Sequence, residues 1–135
     1  MLTPADAHNI LEDGFADWVR DLDIEVTSIG PDHCEMRIPL TDKIARIGGI
    51  VSGQALAALA DTCSVLAGMG SRGEFTPFAT TDLHMQFLRP GTGSAVVCRS
   101  EITRAGRSLT FVRSTISAVD SGKPIATATV TLMAP

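Results

Sequence analysis

A chain of 135 residues with 44% hydrophobic side chains is long enough for one domain with a real core and too short for a second. With aromatics at 4% and a net charge of −4, it offers little surface on which bases could stack, so nucleic acid is not an expected partner. The opening Met-Leu-Thr-Pro-Ala-Asp lacks the basic and apolar regions of a secretory signal, and no uncharged apolar run approaches ~18 residues, so a cytoplasmic protein with no membrane contact is expected.

Thr3-Pro4-Ala5-Asp6 reads as a helix start, with a hydroxyl cap, a proline at the first helical position and an acid in the first turn. Ile10, Leu11, Phe15, Trp18 and Val19 recur at helical spacing and predict an amphipathic helix over about residues 4–21, with Glu12, Asp13 and Asp17 toward water. Residues 23–30 and 33–40 are β-rich and flank the turn signature Gly30-Pro31-Asp32, which predicts a hairpin. A loop over 41–51 leads into a long helix at about 53–69. Four strands follow, at about 77–88, 93–104, 108–119 and 124–134, punctuated by Pro90-Gly91, Ala105-Gly106 and Ser121-Gly122. Short connections favour antiparallel neighbours. The expected architecture is therefore α+β: one antiparallel sheet wrapped around the central helix, in a single domain over residues 1–135.

Cys34, Cys63 and Cys98 form no C-x-x-C pair and have no histidine at ligand spacing, so neither a disulfide framework nor a metal site is expected, and all three read as buried. Charge is unevenly spread. Nine of the fifteen acids lie in residues 1–40, whereas residues 83–119 hold Arg89, Arg99, Arg104, Arg107 and Arg113 against Glu101 alone. That basic segment reads either as solvated strand edges guarded by charge or as a surface that meets an anion.

The central stretch, GGIVSGQALAALADTCSVLAGMG, poses the functional question. At roughly 100° per residue, Leu56, Leu59, Cys63 and Leu66 form an apolar stripe that should pack on the sheet. Gln54, Ala57, Ala58, Asp61, Val65 and Gly68 fall on the opposite side, mostly small, which predicts a second cover in the form of another subunit. Asp61 lies too far inside the helix to cap either end. It reads as a carboxylate paired across an interface, or as a general base, since an unpaired carboxylate in a dry site is costly and reactive. Gly48, Gly49 and Gly53 before the helix let the backbone approach closely, and helix-start amides can bind an oxyanion.

The stretches RIGGIVSGQALAALADT, TTDLHMQFLRPGTG and RAGRSLTFVRSTI together resemble the signature of the hotdog-fold acyl-CoA thioesterases, in the 4-hydroxybenzoyl-CoA thioesterase superfamily. The nearest pattern is that of the phenylacetate-pathway branch, which reads Asn, two residues, Gly, two residues, His-Gly-Gly and a small apolar run ending in Leu-Ala-Asp. The resemblance implies that Asp61 is the catalytic acid, that the Gly53 amide polarises the thioester carbonyl, and that Thr80 helps to position water. Gly49 also matches. The departures are Arg46 at the usual Asn, Ser52 at the usual His and Gln54 at the second Gly, so the oxyanion side is altered while the acid is kept. Arg104, Arg107 and Ser108 are candidates for the phosphates of CoA, and Arg46, if it reaches the site, would favour an acyl group with its own negative charge.

The resemblance further implies a homodimer, as a dimer of dimers, whose sheets join edge to edge. Each site then combines the helix start of one chain with the acid of the other. No cofactor is implied, since coenzyme A is part of the substrate. A competing expectation is a non-hydrolytic acyl-CoA-binding protein, suggested by the changes at Arg46 and Ser52. A hydratase is disfavoured, because no histidine occurs between residues 41 and 61. His84 shares strand parity with Thr80, Asp82 and Gln86 and reads as a polar sheet-face residue, His8 and His33 have no evident partner, and Cys63 on the leucine stripe is a poor nucleophile.

Overall fold

The computed structural model describes all 135 residues. Helix α1 (Pro4–Gly14) begins where the sequence predicts, with the Thr3 hydroxyl accepting from the Asp6 amide at 3.2 Å and the Asp6 carboxylate accepting from the Thr3 amide at 2.9 Å. This reciprocal box satisfies two amides that have no helical partner. The single helix expected over 4–21 is instead two pieces. The chain is extended at Phe15 (φ −103°, ψ 155°) and restarts as the short α2 (Asp17–Arg20). Gly14, a weak helix former, sits at the break. The restart rotates the second piece, so Leu11 and Val19 are buried while Trp18 is 60% exposed.

Strands β1 (Glu25–Gly30) and β2 (His33–Pro39) form the expected hairpin. The stretch expected as loop contains a small ribbon, β3 (Ala45–Arg46) paired with β4 (Ile50–Val51). Gly48 and Gly49 take positive φ at 90° and 72° to make its turn, a conformation that side chains with a Cβ disfavour. Helix α3 (Gly53–Arg72) follows, then β5 (Ala79–Phe87), β6 (Ala95–Ala105), β7 (Leu109–Ala118) and β8 (Pro124–Met133). The six long strands make one antiparallel sheet in the order β1-β2-β6-β7-β8-β5. Strand β5 precedes β6 in the chain but lies beyond β8, so it forms an edge of the sheet.

Helix α3 lies against the sheet along its leucine stripe: Leu56, Leu59, Cys63 and Leu66 are all buried. Each leucine so placed contributes about 1.5–3 kcal/mol relative to exposure. The opposite face is not open along its whole length. A Cβ on Gly68 would stand 2.8 Å from Leu132 and 2.9 Å from Phe78, and Val65 is buried as well. Phe78, just before β5, covers the second half of that face from within the chain. Only the first half remains partly exposed, at Gln54, Ala57, Ala58 and Asp61.

The core also contains a polar seam. Ser64 on α3 bonds Ser114 on β7 at 3.0 Å, and Ser114 bonds Ser100 on β6 at 2.6 Å. The three cysteines are free and buried, with the Cys63 thiol donating to the Cys34 carbonyl at 3.3 Å. Pairing with Cys63, and then burial, hold the Cys34 and Cys98 thiols above the usual thiol range, so neither is a ready nucleophile. No helix is long and apolar enough to cross a membrane.

Candidate active site

Asp61 sits in the third turn of α3, on the half of the helix that the chain leaves partly open. Its Oδ1 accepts a hydrogen bond from the Thr80 hydroxyl at 2.6 Å. Strand periodicity alone would put Thr80 on the same face as Asp82, His84 and Gln86. The structure corrects this: β5 carries a bulge between Thr80 and Asp82, where Thr81 is the extra residue. A bulge reverses side-chain parity. Thr80 therefore pairs with the buried Leu132 and faces the helix together with Leu83 and Met85. Asp82, His84 and Gln86 occupy the outer face and are exposed. Asp61 has no cation within ion-pair distance. The hydroxyl fixes one carboxylate oxygen and leaves the other available to a proton or an electrophile.

The start of α3 is a second centre. Ser52 is its cap, with Oγ accepting from the Ala55 amide at 3.2 Å, and its own amide donates to the Ile44 carbonyl at 2.8 Å. Gly53 is the first helical residue, a position whose amide has no partner inside the helix. A Cβ there would lie 3.4 Å from the Phe87 ring at the far end of β5. Gly53 and Phe87 share a cavity of about 320 Å³ with Arg46, Arg89, Ile50 and Leu56. Ser52 and Gln54 line a different cavity, about 430 Å³, together with Trp18, Leu22 and Ile44. Gly49 lines neither; its amide donates to the Arg46 carbonyl at 3.1 Å and closes the β3–β4 turn.

Arg104, Arg107 and Ser108 are exposed at the β6–β7 turn. There Arg72, the last residue of α3, donates to the carbonyls of Arg107 at 2.8 Å and Gly106 at 3.4 Å. At 1.5 Å per residue this end of α3 is about 28 Å from Gly53, and Asp61 is about 12 Å from Gly53. Within one chain the structure thus brings Asp61 to Thr80, Gly53 to Arg46, and Ser52 to Gln54, and leaves the basic turn apart from all three. Phe87, which sequence reasoning passed over, lines the cavity at Gly53, as does Arg89, which the sequence marked only as one member of the basic segment. Their signal was the run Phe87-Leu88-Arg89-Pro90-Gly91, which forces a strand end and a tight approach at one point. His8 and His33, without evident partners in the sequence, find local ones: His8 Nε2 accepts from the Val26 amide at 3.1 Å, and His33 lies 2.7 Å from Ser28 Oγ and 2.8 Å from the Asp32 carboxylate. Both tie the first hairpin down and stand outside the site.

Comparison with known proteins bears on this arrangement. Residues 43–133 match the family profile described as the acyl-CoA thioesterase N-terminal domain. A provisionally named esterase of Thermoplasma acidophilum is 32% identical over 109 residues, covering 80% of this chain and 77% of that protein. Among solved structures, a thioesterase of Haemophilus influenzae superposes with a TM-score of 0.88 at 23% identity, covering 100% of this chain and 92% of that one. Zebra fish thioesterase superfamily member 2 superposes with a TM-score of 0.85 at 24% identity, over 99% of both chains. The antiparallel sheet around a long helix is the hotdog fold that these structures share.

Proposed function

The chain belongs to the acyl-CoA thioesterase domain family, and from that premise we propose that it hydrolyses acyl-CoA thioesters to a carboxylic acid and CoA, with Asp61 as general base or nucleophile and the Gly53 amide as oxyanion donor. The observation that carries this reading is the Asp61 carboxylate, half-buried in a helix, free of cations and held by Thr80 at 2.6 Å. A carboxylate kept there without a counter-ion has no evident structural purpose. In the water route Asp61 takes the proton of a water whose oxygen adds to the carbonyl carbon. The negative oxygen that forms is stabilised by the Gly53 amide, and collapse breaks the C–S bond and expels the CoA thiolate. In the covalent route Asp61 itself attacks, the thiolate leaves, and water then opens the mixed anhydride.

Either route needs the amide at the carbonyl oxygen and the acid at the same carbonyl group, directly or through one water, and in a single chain they are about 12 Å apart. The geometry of β5 supports a solution with two copies. Its outer edge is unpaired, Thr80 beside Asp61 lies at one end, and Phe87 beside Gly53 lies at the other. Antiparallel pairing of two such edges about Leu83 and His84 would set the acid of one copy next to the helix start of the second. We therefore read the working unit as a homodimer or a dimer of dimers, with the partly open face of α3 at the junction.

Arg104, Arg107 and Ser108 are assigned to the CoA phosphates, and no cofactor is required beyond the CoA that the substrate carries. A CoA thioester substrate fits a cytoplasmic enzyme. The phenylacetate-pathway branch is favoured by the spacing of Gly49, Gly53 and Asp61. Thiol release across short-chain, aromatic and long-chain acyl-CoAs, with light scattering on the same preparation, tests the reading. Turnover by a dimer or tetramer is expected, and tight binding without thiol release would assign the chain to acyl-CoA binding instead.

A further inference from the structure

The cavity beside Gly53 is charged in one direction only. Arg46 and Arg89 line it, no acid does, and neither arginine takes part in an ion pair anywhere in the chain. Its remaining wall is largely apolar, with Ile50, Val51, Leu56 and Phe87. The two arginines come from segments 43 residues apart, and the backbone holds those segments together. The Val51 amide donates to the Gly91 carbonyl at 3.0 Å, and the Arg89 amide to the Ile125 carbonyl at 3.4 Å. Gly91 permits this approach, because a Cβ there would stand 2.5 Å from Ile125 and 2.7 Å from Val51. The two segments that carry the arginines are thus held together by backbone contacts before any ligand arrives.

Building on the hydrolase reading, we propose that this cavity selects an acyl group that ends in a carboxylate, with Ile50, Leu56 and Phe87 around its methylenes and Arg46 and Arg89 as the specificity-determining cations at its far end. A cavity of about 320 Å³ lies at the lower limit of small-molecule pockets. It suits a short dicarboxylic acyl chain. Within the chain no carboxylate pairs with either guanidinium group, and the planar donors of a guanidinium match a carboxylate with two hydrogen bonds. A neutral acyl chain would bury the same methylenes and gain no charge-assisted contact, both arginines staying solvated.

The same anion-binding chemistry could be met by the phosphates of CoA, and the experiment separates the two. Measure kcat/KM for adipoyl-CoA and hexanoyl-CoA with wild type, Arg46→Asn and Arg89→Gln, then repeat with the N-acetylcysteamine thioesters, which carry no phosphate. The expected adipoyl preference is about tenfold or more in wild type, falls about tenfold in each variant, and persists on the truncated thioesters. A wild-type ratio near one overturns the proposal. So does a preference or an arginine effect confined to the CoA forms, which would give the pair to the phosphates. Calorimetric binding of carboxyalkyl-CoA and alkyl-CoA thioethers to Asp61→Asn reads selectivity without turnover. Tighter binding of the carboxylated thioether supports the site even if the protein proves not to hydrolyse thioesters, and equal binding overturns it.

Discussion

One end of β5 presents Thr80, whose hydroxyl holds the Asp61 carboxylate, and the other presents Phe87, whose ring lies over Gly53 at the start of α3. The first end is polar and carries the acid; the second joins a bare helix-start amide to two unpaired arginines. What separates them is two turns of helix, and the separation has a physical use. A carboxylate within reach of helix-start amides and guanidinium groups would be drawn onto them, as capping acids are. Acid and electrophile site would then quench each other. In the proposed dimer, keeping them about 12 Å apart in each chain would leave the acid without a cation and the amide without an acceptor until assembly and substrate bring them together.

The comparison breaks first at its polar end. Asp61→Asn keeps the shape of the side chain and its hydrogen bond to Thr80 but removes the base, so a loss of about 10²-fold to 10⁴-fold in kcat is expected with little change in melting temperature. Undiminished turnover would return Asp61 to a structural role. At the other end, Gly53→Pro deletes one amide while suiting its place, because proline is favoured at the first helical position and Ser52 before it is already extended at φ −70°, ψ 147°. The expected loss is about 10²-fold to 10³-fold. If the ends act in pairs across copies, mixing and reassembling these two inactive variants should restore about a quarter of wild-type activity, since half the dimers regain one intact site. No recovery in a mixture shown to exchange subunits would place both groups in one chain.

Thr80→Val sharpens the polar end. It removes the hydroxyl that aims the carboxylate without removing the carboxylate, and kcat should fall about tenfold while KM holds. The smallest effect serves as a reference outside the site. Hydrogen bonds from the Ser94 hydroxyl and then its amide hold the Asp120 carboxyl below the usual carboxylate range. Its stabilising contribution is present above the unfolded value of about 3.8 and is lost as pH falls through the folded value. Thermal melts of Asp120→Asn should lie slightly below wild type at pH 7 and converge with it in acid, with turnover at pH 7 unchanged.

Much of this comparison was legible in the sequence because it follows from local rules. The cap at Thr3, the leucine stripe of α3 and the turns at Pro90-Gly91 and Ser121-Gly122 are written in residue types at fixed spacing. Asp61 was visible for the opposite reason, as an acid where the helix pattern asks for none. What was hidden required a change of phase or a contact distant in sequence. The extra residue at Thr81 moves Thr80 to the helix side, and nothing in Thr-Thr-Asp marks a bulge. The break at Phe15 turns Trp18 outward although its spacing was helical. Phe78 returns over Gly68 only because β5 is carried to the edge beyond β8, a matter of topology rather than propensity.

The serine seam sets the orientation of these parts. Ser64 stands three residues after Asp61 on the same helix, and its bond to Ser114, continued to Ser100, links α3 to β7 and β6 at once. Turning or sliding the helix by one residue would strand buried hydroxyls at about 1–3 kcal/mol each, in addition to unseating the packed leucine stripe. The seam therefore works as an index pin that sets the azimuth of α3 against the sheet, and Gly53 and Asp61 are machined to the same datum. On the proposed reading, a buried residue that no substrate can touch would help to set the aim of both ends together, and Ser64 would be the place where the alignment of two distant half-sites could be retuned by a single side chain.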